Sequence, residues 1–152
     1  MVPQKLTFSP LSRRQIEADF SGGHITSDAG VLLLREVDKQ HRLTQRLAET
    51  LTDQRDARMI RHGLNTMIRQ RVYGVASGYE DLNDHEALRF DQALQTATGN
   101  ASTLAGKSTL CRMEQAMDRQ TIVKAHELLW HHFIEQHEKP PKEIVLDFDG
   151  TD

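Results

Sequence analysis

The tripeptide Lys139-Pro140-Pro141 divides this sequence into two stretches of different periodicity. Before it, apolar residues recur at three- and four-residue intervals, the spacing of amphipathic helices. After it comes a short apolar run, Ile144-Val145-Leu146, which reads as a buried strand, followed by Asp147, Asp149 and Asp152 with Gly150 and Thr151 among them. Proline fixes φ and lacks an N–H, so the pair ends the helix before it and stiffens a hinge. Acids crowded at a strand tip repel one another unless a cation sits among them. An all-oxygen donor set suits a hard ion such as Mg²⁺ or Mn²⁺. A lone strand leaves its edges unsatisfied, so residues 140–152 are expected to open a second domain of a longer protein.

Residues 1–26 carry Pro3, Pro10, Gly22 and Gly23 and no helical period, which predicts an extended arm with one short strand around Gln15–Phe20. Lys5, Arg13 and Arg14 make the arm mildly basic, and such an arm can lie along a nucleic-acid backbone. A helical region is predicted for 27–139. Ser27 reads as the first N-cap, with Val31, Leu32, Leu34 and Val37 as a stripe running to Lys39. A second helix covers Leu43–Leu51. A third is predicted from Arg55 to Ala76, buried through Ile60, Leu64, Met67, Ile68, Val72 and Val75. Asn83 or Asp84 starts a fourth, which carries Leu88, Phe90 and Leu94 and stops at Gly99-Asn100. Ser108 or Thr109 caps a fifth through Leu110, Met113 and Met117, and residues 120–138 form a sixth. The fold class is therefore mainly α, a helical N-terminal region followed by one strand of a truncated α/β domain.

Composition excludes several classes. The single Cys111 leaves no internal disulfide and no cysteine metal cluster. No run approaches the roughly 18 apolar residues of a membrane helix, and the first thirty residues lack a signal-peptide pattern, so a cytoplasmic chain with no membrane partner is expected. Ala101–Ser108 fits a relaxed phosphate-loop pattern, but no strand precedes it to aim the loop. Glu80, Asp81, Asp84, His85 and Glu86 crowd together without a metal-ligand spacing; a capped, acidic helix start accounts for them. His126, His131, His132 and His137 share a helix, and no two are four apart, as a helical zinc pair requires.

The net charge of −3 gives no global attraction to a polyanion, so any such binding must be local. The strongest basic patch is Arg55, Arg58, Arg61, Arg69 and Arg71, set against only Asp53 and Asp56. On one reading these arginines bind phosphates; on the other they form a solvated helix face.

Two chemistries suit the terminal acids. In one, an Asp helps to hold paired Mg²⁺ ions that activate water or a 3′-hydroxyl on a phosphodiester, with further ligands from elsewhere in the protein. In the other, Asp147 is a nucleophile forming an aspartyl-phosphate and Asp149 is its general acid/base. Leu146–Thr151 resembles the opening signature of haloacid-dehalogenase-like phosphatases. Those enzymes usually begin with that motif, whereas here a long helical region precedes it.

A second resemblance covers nearly the whole chain in order. Thr26-Ser27-Asp28-Ala29-Gly30-Val31-Leu32-Leu33-Leu34-Arg35-Glu36, Gln70-Arg71-Val72-Tyr73-Gly74, Gly78-Tyr79-Glu80-Asp81-Leu82-Asn83-Asp84-His85, Leu88-Arg89, Ser108–Glu114 and Val145–Asp152 carry it. Together they resemble the front of an insertion-sequence DDE transposase of insertion-sequence family 1380. The run from Gly78 to His85 is the most specific piece. The resemblance implies that the terminal motif opens an RNase H-like catalytic domain and supplies the first of three metal-binding acids. It makes Asp149 that acid, with Asp147 second and Asp152 third. It further implies Mg²⁺ in the full-length protein, DNA at insertion-sequence ends as the partner, and the five arginines as phosphate contacts, and it admits a homo-oligomer of the full-length protein. The second Asp and the Glu of the triad find no match in these residues, so no catalysis by the chain alone is expected; beside the phosphatase fragment, the alternative is a non-catalytic DNA-binding remnant.

Overall fold

The computed structural model describes residues 5–19 and 26–146. Its first element is a hairpin, β1 (Leu6–Leu11) and β2 (Arg14–Ala18), paired antiparallel. The register shifts between Phe8 and Leu11, where Pro10 has no N–H to give the ladder; a bulge absorbs the extra residue. Ser12 opens the connection in the left-handed region at φ 54°. The extended arm expected for residues 1–26 is thus, over 6–18, a two-stranded hairpin. It is also docked: Phe8 and Ile16 pack on the core, Arg35 Nη1 donates to Ser9 O at 2.8 Å, and the Ser9 hydroxyl donates to Glu36 at 2.7 Å.

Seven α-helices follow among the described residues: α1 (Val31–His41), α2 (Leu43–Thr50), α3 (Leu64–Ala76), α4 (His85–Leu88), α5 (Gln92–Thr98), α6 (Lys107–Gln115) and α7 (Arg119–Glu135), with short 3₁₀ turns at Ala57–Met59 and Leu82–Asp84. The mainly α expectation is met. Helix α1 begins after a turn rather than at Ser27, with Gly30 at its cap. Between α1 and α2 the chain reverses at Arg42, whose φ of 54° is left-handed. Asp38 secures that corner by accepting from Thr44 N at 2.8 Å, from the Thr44 hydroxyl, and from Tyr73 Oη at 2.9 Å.

Three expected elements differ. The predicted helix from Arg55 starts nine residues late, at Leu64. Asp53 and Asp56 each accept a hydrogen bond from the backbone N–H two residues on, and these local turns defeat the helical period there. The predicted fourth helix is broken, because Asp91 adopts an extended conformation and caps α5 by accepting from Leu94 N at 2.7 Å. Gly99 then ends α5 with φ 80°, in the left-handed conformation that glycine adopts without penalty. The predicted strand Ile144-Val145-Leu146 is not formed within the described residues. These side chains are 59%, 84% and 70% exposed, and no strand among the described residues pairs with them. Without a partner ladder a three-residue run has nothing to hold it extended.

Two apolar clusters make the interior. Val31, Leu32, Tyr73, Leu88, Leu94 and Leu104 head one, and Met67, Ile68, Ala105, Leu110 and Met113 form the other. Val72 of α3 touches both, so α3 is the central helix. Gln70, also on α3, is fully buried. Its amide donates to Ala105 O at 2.8 Å and accepts from Ala105 N at 3.1 Å, so it holds the 99–106 connection as a neighbouring strand would. The phosphate-loop-like segment is therefore anchored at its middle, where Leu104 and Ala105 are 1% exposed.

Candidate functional site

The five arginines nominated by the sequence do not share one helix face. Arg71 is spent internally, donating to Glu114 at 2.6 Å and to the carbonyls of Tyr79 and Glu80. Arg69 faces the buried corner, 3.3 Å from the Thr44 hydroxyl and 3.6 Å from Asp38. Arg55 and Arg58 each close on the acid two residues before them, at 2.6 and 2.7 Å. Those hydrogen bonds hold the carboxyls of Asp53 and Asp56 below the usual range. Arg61 is exposed and makes no ion pair among the described residues.

The tertiary fold adds a cation that the sequence reading left out. Arg89, at the end of α4, comes near His62, just ahead of α3. Burial, and then the charges of Arg89, Arg55 and Arg61 in that order, push the His62 imidazole below its ordinary value. At neutral pH it is uncharged. Its Nδ1 is enclosed without a hydrogen-bond partner among the described residues, as is Arg89 Nε. Arg55 also donates to His62 O at 3.1 Å. Arg89 Cζ lies 4.9 Å from the ring centroid of Phe90, which is 60% exposed. The sequence placed Phe90 on a buried stripe; the break at Asp91 turns it outward. Gly106 closes the cluster from α6. A Cβ there would come within 2.7 Å of Arg89 Nη1 and 2.8 Å of Glu86 Oε1, so a larger residue would displace the ends of those two long side chains.

The charges of three guanidiniums act on the His62 imidazole; Arg89 is paired with Glu86 at 3.4 Å and Arg55 with Asp53 at 2.6 Å, and the exposed Phe90 ring lies beside Arg89. The arrangement offers charge and a stacking surface, and no nucleophile paired with a base. Among the described residues no group of three or more His, Cys, Asp or Glu side chains could hold a metal ion. Asp147, Asp149 and Asp152, the acids nominated for Mg²⁺, lie outside the described residues. The acidic run around Glu86 is occupied otherwise: Asp81 caps the 3₁₀ turn through Asn83 N, Glu86 accepts from Lys107 N at 2.8 Å, and His85 is buried against Gln70. Among the described residues no helix is long and apolar enough to cross a membrane.

Of the five nominated arginines, Arg55, Arg58 and Arg61 are exposed in one segment of a chain of net charge −3. A family model described as transposase DDE domain group 1 matches residues 8–152, and the chain belongs to that family. No curated protein and no solved structure matches it.

Proposed function

We propose that this chain is the DNA-engaging N-terminal part of a DDE transposase and that it grips DNA through Arg55, Arg58, Arg61 and Arg89, with Arg69 and Arg71 serving the fold. The observation that carries this reading is the exposure of Arg55, Arg58 and Arg61 along one short segment ahead of α3, in a chain of the transposase DDE family. Arg61 and Arg58 are exposed and can reach phosphates, and Phe90 gives a base a flat surface to stack on. The terminal motif belongs to an RNase H-like catalytic domain in this reading. Asp149, with Asp147 as second choice, is the acid that would hold a divalent ion, Mg²⁺, whose chemistry when bound is to activate water against a phosphodiester at the element's end. A homo-oligomer of the full-length protein and a cytoplasmic setting belong to the same proposal. The phosphatase reading loses ground to the family match, which extends across the helical region that reading left unexplained.

Gel-shift titration of the purified chain against duplex DNA tests it. Binding should weaken as salt rises, with a slope of about −0.9 per phosphate engaged. Arg61→Ala should make that slope shallower by about one phosphate. No shift at low salt would remove the DNA-binding claim. Incubated with Mg²⁺ and element-end DNA, the chain should leave the DNA uncut. Nicking that disappears in Asp149→Ala would overturn the claim that the chain alone does not cut.

A further inference from the structure

The cationic cluster around His62 carries charge but little that can tell one sequence from another. A different surface has the complementary property. Between the tip of the hairpin and α5 runs a groove of about 210 Å³, lined by Arg14, Gln92, Gln95, Thr96 and Asn100 with Leu11 at one wall. We propose that this groove reads base edges in DNA and that Arg14, Gln92, Thr96 and Asn100 set the chain's sequence preference. The proposal rests on the DNA-binding reading above and deepens it by separating base reading from phosphate contact.

The polar inventory supports this. Gln95 is committed, its Nε2 donating to Arg89 O at 3.0 Å. The Asn100 Oδ1 is committed too, accepting from Ser102 N at 3.0 Å and Ser102 Oγ at 2.8 Å, which leaves its amino group to donate outward. The side chains of Arg14, Gln92 and Thr96 make no hydrogen bond or ion pair among the described residues. The groove thus presents an uncommitted guanidinium fork, a whole carboxamide, a hydroxyl and an amino donor, with no carboxylate among its lining residues. Those are the side-chain types whose donor and acceptor geometry matches base edges: Arg pairs with guanine, and Gln or Asn with adenine. One cation is too few for a pure phosphate site. Arg13, exposed at the hairpin turn, is placed to hold the adjacent backbone and fix register. The scaffold is firm, because α5 packs on α1 through buried Ala93, Leu94 and Ala97 while Phe8 and Ile16 anchor the hairpin to the same cluster.

Selection of duplexes from a random-sequence library by the full chain, followed by sequencing, tests the proposal. The unaltered chain should enrich a motif. Arg14→Ala, Gln92→Glu and Thr96→Ala should each lower the affinity ratio between the enriched duplex and a scrambled one, by roughly tenfold for the first two. The salt slope should stay within one phosphate of the original. Arg61→Ala should instead weaken both duplexes equally. These positions are on the surface, so an unchanged helical circular-dichroism signal is expected in each variant. An enriched motif that survives all three groove substitutions, or binding without any enriched motif, overturns this proposal and leaves the DNA-binding reading standing. Failure of the unaltered chain to bind any duplex at low salt overturns both.

Discussion

Gln70, Gly74 and His85 meet in the interior, and each is constrained by a different force. Gln70 Nε2 lies 3.1 Å from His85 Nδ1 and, as the donor, puts the imidazole proton on Nε2. Gly74 leaves room for that ring: a Cβ on it would meet His85 Cε1 at 2.9 Å. Gly74→Ala should therefore destabilise the chain by about 1–3 kcal/mol, read from urea unfolding. Gln70→Leu strips both partners from the buried Ala105 backbone and should cost about 2–4 kcal/mol in the same measurement. Burial is the first cause holding the His85 imidazole below its ordinary value of 6.5; the charge of Arg71 adds to it, and Asp84 and Glu114 oppose it. A depressed folded-state value means that this contribution is complete above the unfolded value and is lost as pH falls through the folded one. Stability should thus decline as pH falls below 6.5, before the paired carboxylates titrate. His62 is shifted the same way and adds to the slope. His85→Asn should flatten the decline without abolishing it, as followed by the denaturation midpoint across that window.

At the scale of elements, the ends of segments decide more than their middles. Ser12 holds a left-handed φ of 54° in the hairpin turn, a conformation that costs a side-chain-bearing residue about 1 kcal/mol. Ser12→Gly should raise the melting temperature accordingly. Helix α7 shows a different imbalance. Its inner positions Thr121, Ala125, Leu128 and His132 are half-buried, while Trp130 is 65% and Ile134 63% exposed. Asp118 caps it through Thr121 N, and Arg46 ties it to α2 through Glu135 at 2.7 Å. Trp130→Gln with Ile134→Gln should move the unfolding midpoint by no more than about 0.5 kcal/mol. The same pair should reduce self-association in light scattering, since exposed apolar patches drive it.

Across the whole molecule, α3 joins the two apolar clusters, and the arginines divide between bracing the fold and facing solvent. Arg71 illustrates the division. It braces α3 to α6 through Glu114 and to the Tyr79–Glu80 backbone. Arg71→Ala should lower stability by about 1–3 kcal/mol and leave the salt slope of DNA binding unchanged, whereas Arg61→Ala should do the reverse. Unfolding and gel-shift titration of the two variants side by side would separate a structural arginine from a ligand-facing one. The apolar spacing alone was enough to locate α1, α2, α6 and α7 within a few residues, and Gly99 to end α5, because a helix face and a left-handed glycine are written in neighbouring positions. It could not show that the charge of Arg89 acts on His62 alongside Arg55 and Arg61, or that Arg14 and Gln92 line one groove. Residues so far apart in the chain meet only when the core closes. Nor could it show which turns would win at Asp53, Asp56 and Asp91, where a carboxylate accepting a backbone N–H outcompetes a helical period of comparable strength. Local periodicity and membership in a transposase family are properties of the sequence; the sorting of its arginines between internal braces and exposed positions depends on distances that exist only after folding.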